Sequence, residues 1–234
     1  MLTVENIKVT GFEEAIRGAR NSFESWDKSD SVFREDGYWC LGPHDVDLLK
    51  RLVLTGCDAE SKFARYIIFS ADITAPLYWW KEMDTYKVGT VANSTSTMHS
   101  IQKHEFTYDM FSTEHLWERS KPLFDDILYK LNEYRKMYLE LADPASHDPA
   151  MQKEVWWQMI QLLPTSFNQR RTVLLNYQNL RNIWLQRRFH KLDEWHQFIE
   201  YIRQLPYCED LIMCLGLKTV NDDELRKVVD RNGH

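Results

Sequence analysis

In the first sixty residues, apolar positions recur at helical spacing in two places. "GFEEAIRGARNSFESW" carries Phe12, Ile16 and Ala19 on one repeat, and "GPHDVDLLKRLVLTG" carries a second run bounded by Pro43 and Gly56. These spacings predict two helices. The pattern then changes. "KFARYIIFSADITAPLYWW" mixes β-branched and aromatic residues, among them Phe63, Tyr66, Ile68 and Ile73, with small ones. That mixture predicts a strand, ended or bent by Pro76, at the centre of a sheet.

From Thr113 to Leu141 the apolar positions Leu116, Leu123, Ile127, Leu131, Tyr134 and Tyr138 return every three to four residues with acids and bases between them. This predicts one long amphipathic helix, broken near Pro122. "ADPASHDPA" follows as a loop rather than a domain boundary, because neither flank has a core of its own. The last third reads as a helix from about Lys153 to Leu163, a stop at Pro164, and a further helix from Asn176 to Gln204 before "LPY". There is no internal repeat and no low-complexity segment.

Length and composition narrow the class. The chain has 234 residues, 44% of them hydrophobic, enough for a sizeable core. We expect a single domain over 1–234, with a helical part at about 1–58, a sheet-and-helix core at 59–205 and a tail at 206–234. The formal net charge of −6 argues against bulk electrostatic binding of nucleic acid, although local basic clusters suit a small phosphorylated ligand. Cys40, Cys57, Cys208 and Cys214 show no CxxC spacing, and no run reaches the roughly 18 apolar residues of a membrane span. The expectation is a cytoplasmic protein with reduced thiols and no membrane anchor.

Candidate chemistry lies in three places. "TYKVGTVANSTSTMHSI" has no Asp, Glu, Lys or Arg from Val88 to Ile101, in a chain that is 27% charged, yet is crowded with hydroxyls and amides at Asn93, Ser94, Thr95, Ser96 and Thr97. Such a run can wrap a ligand with neutral hydrogen-bonding groups, or it can be a turn and a helix N-cap. In "NYQNLRNIWLQRRFHKLDEW", Leu180, Ile183, Trp184 and Arg187 share one helical stripe. A guanidinium on an apolar stripe must be paired, for example by Glu194, must snorkel to solvent, or must reach a cleft. Arg170 and Arg171 in "QRRT" form one basic cluster, and Arg187, Arg188, His190 and Lys191 a second; forked guanidinium donors suit phosphate.

Other motifs are missing. His99 and His104, or His190 and His196, lack the spacing of a helical metal site, so no metal is expected. GxGxxG, GxxxxGK[ST] and GxSxG do not occur, which argues against a Rossmann dehydrogenase, a P-loop NTPase and an α/β-hydrolase. The adjacent pairs Trp79–Trp80 and Trp156–Trp157 read as core or interface.

Two segments together resemble the flavin-dependent thymidylate synthase family. That family has Leu-Pro, an Asn or Asp twelve residues after the Pro, a Leu four further on and an Arg seven beyond it. Leu163-Pro164, Asn176, Leu180 and Arg187 keep that register. The opening uncharged run, aligned on Asn93 and Ser96, is similar in position to the family signature, and the order of parts matches over most of residues 60 to 205. The resemblance implies an α+β fold with a central antiparallel sheet flanked by long helices, FAD as cofactor, and dUMP or a related pyrimidine nucleotide as ligand. It further implies nucleotide-binding roles for Lys87, Asn93, Ser96, Arg170 and Arg187, cofactor-side roles for Asn176 and His99, and a homo-oligomer, a tetramer if family-like.

The sequence also departs from the family pattern. Tyr86, Lys87 and Val88 fall where the family has Arg-His-Arg, Ser94 where it has an acid, Met98 where it has a final Arg, and Ile160 where it has a phosphate-binding Arg. No catalytic residue is assigned. A pocket with fewer cations can hold a nucleotide without supporting flavin chemistry. The expectation is therefore a thymidylate synthase-like nucleotide-binding protein, acting on dUMP at C5 through a flavin. The alternatives are a non-catalytic binder that sequesters a nucleotide or regulates, in a phage or its bacterial host, and a structural or assembly protein.

Overall fold

The computed structural model describes residues 2–35 and 37–219. Its elements are β1 (Thr3–Thr10), α1 (Phe12–Arg20), β2 (Val32–Phe33), β3 (Trp39–Cys40), α2 (Pro43–Leu54), β4 (Ile68–Pro76), α3 (Leu77–Met83), β5 (Val91–Ser94) and α4 (Thr97–Ser100). There follow α5 (Lys121–Glu140), α6 (Pro149–Leu162), β6 (Asn168–Asn176), α7 (Tyr177–Arg187), α8 (Asp193–Arg203), a π-helical turn (Glu209–Met213) and α9 (Cys214–Thr219). The fold is α+β with an antiparallel sheet. Among the described residues no helix is long and apolar enough to cross a membrane.

The main sheet has the order β1-β4-β6-β5, so the strand predicted as central lies between two others. The amide N–H of Tyr177, just after β6, donates to the Ile67 carbonyl just before β4, and that of Leu77 donates to Phe167 at the opposite ends, so the two strands run antiparallel. Along β4, Phe69, Ala71, Ile73 and Ala75 are buried while Ile68, Ser70, Asp72 and Thr74 are half-buried. That period of two sets one face against the core.

The chain divides into two compact units, one made of Thr74–Asp84 and Asn93–Arg171, the other of Leu2–Ile73, Thr85–Ala92 and the chain from Thr172 on. In the first, α5 packs along α6. Its core is Ile101, Phe106, Phe111, Phe124, Leu128, Leu131 and Met159. Phe111 meets Phe124 edge-on at 5.3 Å and Phe167 at 5.6 Å. In the second, Phe12 meets Tyr177 edge-on at 5.9 Å, and Phe198 touches both Phe69 and Trp195. Tyr177 donates its hydroxyl to the Pro206 carbonyl at 2.7 Å, and burial raises its phenol above the ordinary range, so it stays a neutral donor.

Two predicted helices change their boundaries. The long helix begins at Lys121 rather than Thr113, with Pro122 in its first turn, where a missing N–H removes no intrahelical bond. The helix predicted over Asn176–Gln204 is two helices: α7 ends at Arg187, and Leu192, extended, begins α8 with Asp193 and Glu194 in its first turn. The sequence pattern does not predict strands β1, β5 and β6. "NQRRTVLLN" carries adjacent arginines within its alternation and shows a strand only once β4 lies beside it. Of the predicted tail at 206–234, the part up to Thr219 carries the π-helical turn, with Leu211, Ile212 and Met213 buried, and α9, and the part from residue 220 on lies outside the described residues.

Candidate functional site

The residues singled out by sequence fall into two groups, one in each unit. In the second unit, residues 86–90 form a strap fixed to both ends of α7. At its start, Asn176 is the N-cap: its Oδ1 accepts from the Asn179 N–H at 2.9 Å, and Asn179 returns the bond to the Asn176 N–H at 3.1 Å. The Asn176 Nδ2 donates to the Val88 carbonyl at 3.3 Å. Both ends of this side chain are thus engaged in holding backbone. Gly89 completes the arrangement with a φ of +68°, where a Cβ would lie 2.9 Å from the Asn176 Nδ2.

At the other end of α7 the strap is fixed by Tyr86. Its hydroxyl bonds the Gln186 Oε1 at 2.9 Å and accepts from the Arg187 Nε at 3.1 Å. The Thr90 hydroxyl donates to the Tyr86 carbonyl at 2.8 Å and closes the turn. The Arg187 guanidinium lies 5.1 Å from the ring of Trp195, which is fully buried, and 5.9 Å from that of Tyr86. A half-buried cation against two π faces is attracted to both and held in one orientation. Lys87, between the fixed points of the strap, is exposed.

The second basic cluster splits at the end of α7. Arg188 turns from Arg187 to lie over the rings of Trp184, at 5.2 Å, and Phe189, at 5.1 Å. Two adjacent arginines on consecutive helical positions cannot share a face.

In the first unit, the uncharged run has two structural duties. Ser96 is the N-cap of α4 and accepts from the His99 N–H at 3.3 Å, and the Ser100 hydroxyl donates to the Ser96 carbonyl at 2.5 Å. The capping alternative for this stretch is therefore present. Thr95 donates its N–H to the Arg170 carbonyl at 2.9 Å, which extends the pairing of β5. Gln169, almost fully buried, donates to the Thr95 carbonyl at 2.9 Å and so holds the loop from beneath. Asn93 and His99 are exposed.

Alternation along β6 separates the pair Arg170 and Arg171. Arg170 is exposed, whereas Arg171 stacks over Trp80 at 4.3 Å and donates to the Asp84 carboxylate at 2.7 Å and the Gln169 Oε1 at 3.0 Å. Ile160, where the resembling family has an arginine, packs against the apolar core of this unit. Sequence reasoning does not single out Tyr86, Trp195 or Gln169 as site residues. Trp195 lies eight positions beyond Arg187 on the next helix, and sequence spacing cannot relate residues across a break.

No family model matches the chain, and no curated protein matches it. Solved structures do match. One is the flavin dependent thymidylate synthase ThyX from Helicobacter pylori complexed with FAD and dUMP, at a TM-score of 0.58 and 16% identity, covering 89% of this chain and 96% of that one. Another is Thymidylate Synthase X from Helicobacter pylori with FAD and dUMP, at a TM-score of 0.60 and 16% identity, covering 92% and 99%. This chain has a ThyX-like fold.

Proposed function

We propose that this chain binds a pyrimidine nucleotide, with Arg187 gripping its phosphate and Lys87 as the second cation. The observation that supports this is the setting of Arg187, a guanidinium stacked on Trp195 and Tyr86 and tethered through Nε, on a fold shared with chains solved with dUMP. A cation already held in place loses little freedom when an anion arrives, and its fork suits phosphate oxygens.

FAD fits these residues less well. Its pyrophosphate calls for cations or uncommitted N–H donors. Tyr86 and Val88 bring neither charge, Asn176 has its amide on the Val88 carbonyl, and Ile160 belongs to the core. We therefore derive no hydride step, and read the chain as a nucleotide binder with a sequestering or regulatory role.

Titration calorimetry with dUMP, dTMP and UMP, with and without FAD, tests the reading. Binding is expected without flavin, and Arg187→Ala is expected to weaken it about 10- to 100-fold, the worth of a charge-assisted contact. No binding by any of the three, or an Arg187→Ala variant of unchanged affinity, would sink it. Tyr86→Phe, which keeps the ring and removes the hydroxyl, should lower affinity about 3- to 10-fold through the lost tether. The same change on the Arg187→Ala background should then have no effect. Equal losses on both backgrounds would show that Tyr86 does not act through Arg187.

A further inference from the structure

Beyond Arg187, helix α7 carries a second set of donors. Arg181, Trp184 and Arg188 stand at spacings of three and four and share one stripe, and α7 packs against the π-helical turn and α9. Arg181 is 3% exposed and Trp184 5%. The Arg181 Nη2 donates to the Ser61 hydroxyl at 2.9 Å and lies 3.7 Å from the Asp58 carboxylate. The Arg181 Nη1, the Trp184 Nε1 and the Arg188 Nε and Nη1 are buried, and among the described residues none of these four atoms has an acceptor.

Two of the donors come together at α9. A Cβ on Gly216 would lie 1.8 Å from the Arg188 Nη1 and 2.8 Å from the Trp184 Nε1, so the α9 backbone lies close against both. Arg203 of α8 adds a second guanidinium, 5.0 Å from the Trp184 ring, as Arg188 is at 5.2 Å. Arg203 and its carboxylate partner Glu200, at 3.2 Å, are both exposed, so solvent reaches this side of the cluster.

Buried N–H groups nearly always find an acceptor, and an arginine cannot shed its charge to avoid needing one. The rings of Trp184 and Phe189 attract the Arg188 cation but offer its N–H groups no oxygen. Gly216 brings no side chain to supply one. Two guanidiniums over one indole, with buried donors that meet and no acceptor, complement a doubly charged oxyanion whose several oxygens take forked donors. The cover over them is small: α9 has 6 residues and follows a π-helical turn, a conformation frequent at functional sites.

We infer that Arg188, Trp184 and Arg203 form a second anion site, closed by α9 in this structure, that takes a phosphate-type dianion. α9 moves aside as the anion enters, the oxygens accept from the Trp184 Nε1 and the Arg188 guanidinium, and Arg203 stands at the mouth. The site is separate from Arg187 and Lys87 and does not depend on a nucleotide binding there.

Calorimetric titration of the full chain with pyrophosphate tests it, on a background of Arg187→Ala and Lys87→Ala that silences the proposed nucleotide site. Saturable binding is expected to persist in this background and to weaken at least tenfold with Arg188→Gln. Trp184→Phe, which keeps a ring and removes the N–H, should weaken it about 3- to 10-fold. Gly216→Ala crowds the closed position of α9 and should tighten binding about threefold, which a merely structural glycine would not do. Hydrogen exchange of the wild-type chain should quicken over residues 214–219 when pyrophosphate is added. Succinate, whose two charges sit on separate groups, should bind more weakly. If Arg188→Gln does not fold, Trp184→Phe and the wild-type exchange decide the matter. No binding in the background, unchanged affinity in Arg188→Gln or Trp184→Phe, exchange over 214–219 that is unchanged or slower, or succinate as the tighter ligand overturns the inference.

Discussion

Asp45→Ala is expected to destabilise the protein by about 3–5 kcal/mol, the usual range for removing one partner of a buried ion pair. The loss leaves the Arg20 guanidinium buried without its carboxylate and strips the acceptor from Ser29 and Ser31. Chemical denaturation measures it; a loss below about 1 kcal/mol would show that the pair is not the anchor of the segment between α1 and α2. The same group sets a pH dependence. Burial raises the Asp45 carboxyl, but the hydrogen bonds from Ser29, Ser31 and Arg20 and the charge of Arg20 outweigh it, and the net effect is a value below the ordinary 3.8. A folded value below the unfolded one means that the contribution is fully present above about pH 4 and is lost as pH falls through the folded value. Asp45→Asn should accordingly flatten the acid limb of the stability curve. An acid limb identical to the wild type would place the acid sensitivity elsewhere.

Trp195→Ala should cost about 3–5 kcal/mol as well, through the cavity left by a fully buried indole. For a chain of this size that is a fall in Tm on the order of 10 °C. The site should register it too. Trp195 packs against Tyr86 at 6.2 Å and lies under Arg187, so its removal takes one of the two rings that orient the guanidinium. Trp195→Phe refills much of the volume and should recover most of the stability. Calorimetric scans of both variants, each followed by nucleotide titration below its transition, separate the two effects. A Trp195→Ala protein with wild-type affinity would detach the indole from the site.

Several parts of this architecture could be read along the chain. β4 could be read from its β-branched and aromatic residues, among them Ile68 and Ile73, because such side chains suit a pleated, half-buried surface. α5 carries the apolar spacing of a helix lying on a core, and the helix read from about Lys153 to Leu163 is present as α6, which begins earlier, at Pro149. Edge strands gave no such signal. All four residues of β5 are exposed, and β1 buries little beyond Val4, so neither has a face for a periodicity to record.

The site was legible in part. Arg187 could be picked out as a charge on an apolar stripe, but the aromatic surfaces it rests on come from Tyr86, about a hundred positions earlier, and from Trp195 on another helix. Asn176 could be found by its register after Pro164, yet its engagement as an N-cap that also grips Val88 depends on where the strap passes. Arg170 and Arg171 looked equivalent; the alternation of β6 turns one outward and lays the other on Trp80.

By itself the sequence determined the central strand, the long helices and the cations worth watching, because these follow from local periodicity and residue chemistry, while the class of fold came from its resemblance to a family. Tertiary structure decided which arginine is stacked, which is paired and which is exposed, and which hydroxyls cap a helix. Those outcomes depend on groups brought together from distant parts of the chain, and a periodicity of two or 3.6 residues carries no record of them.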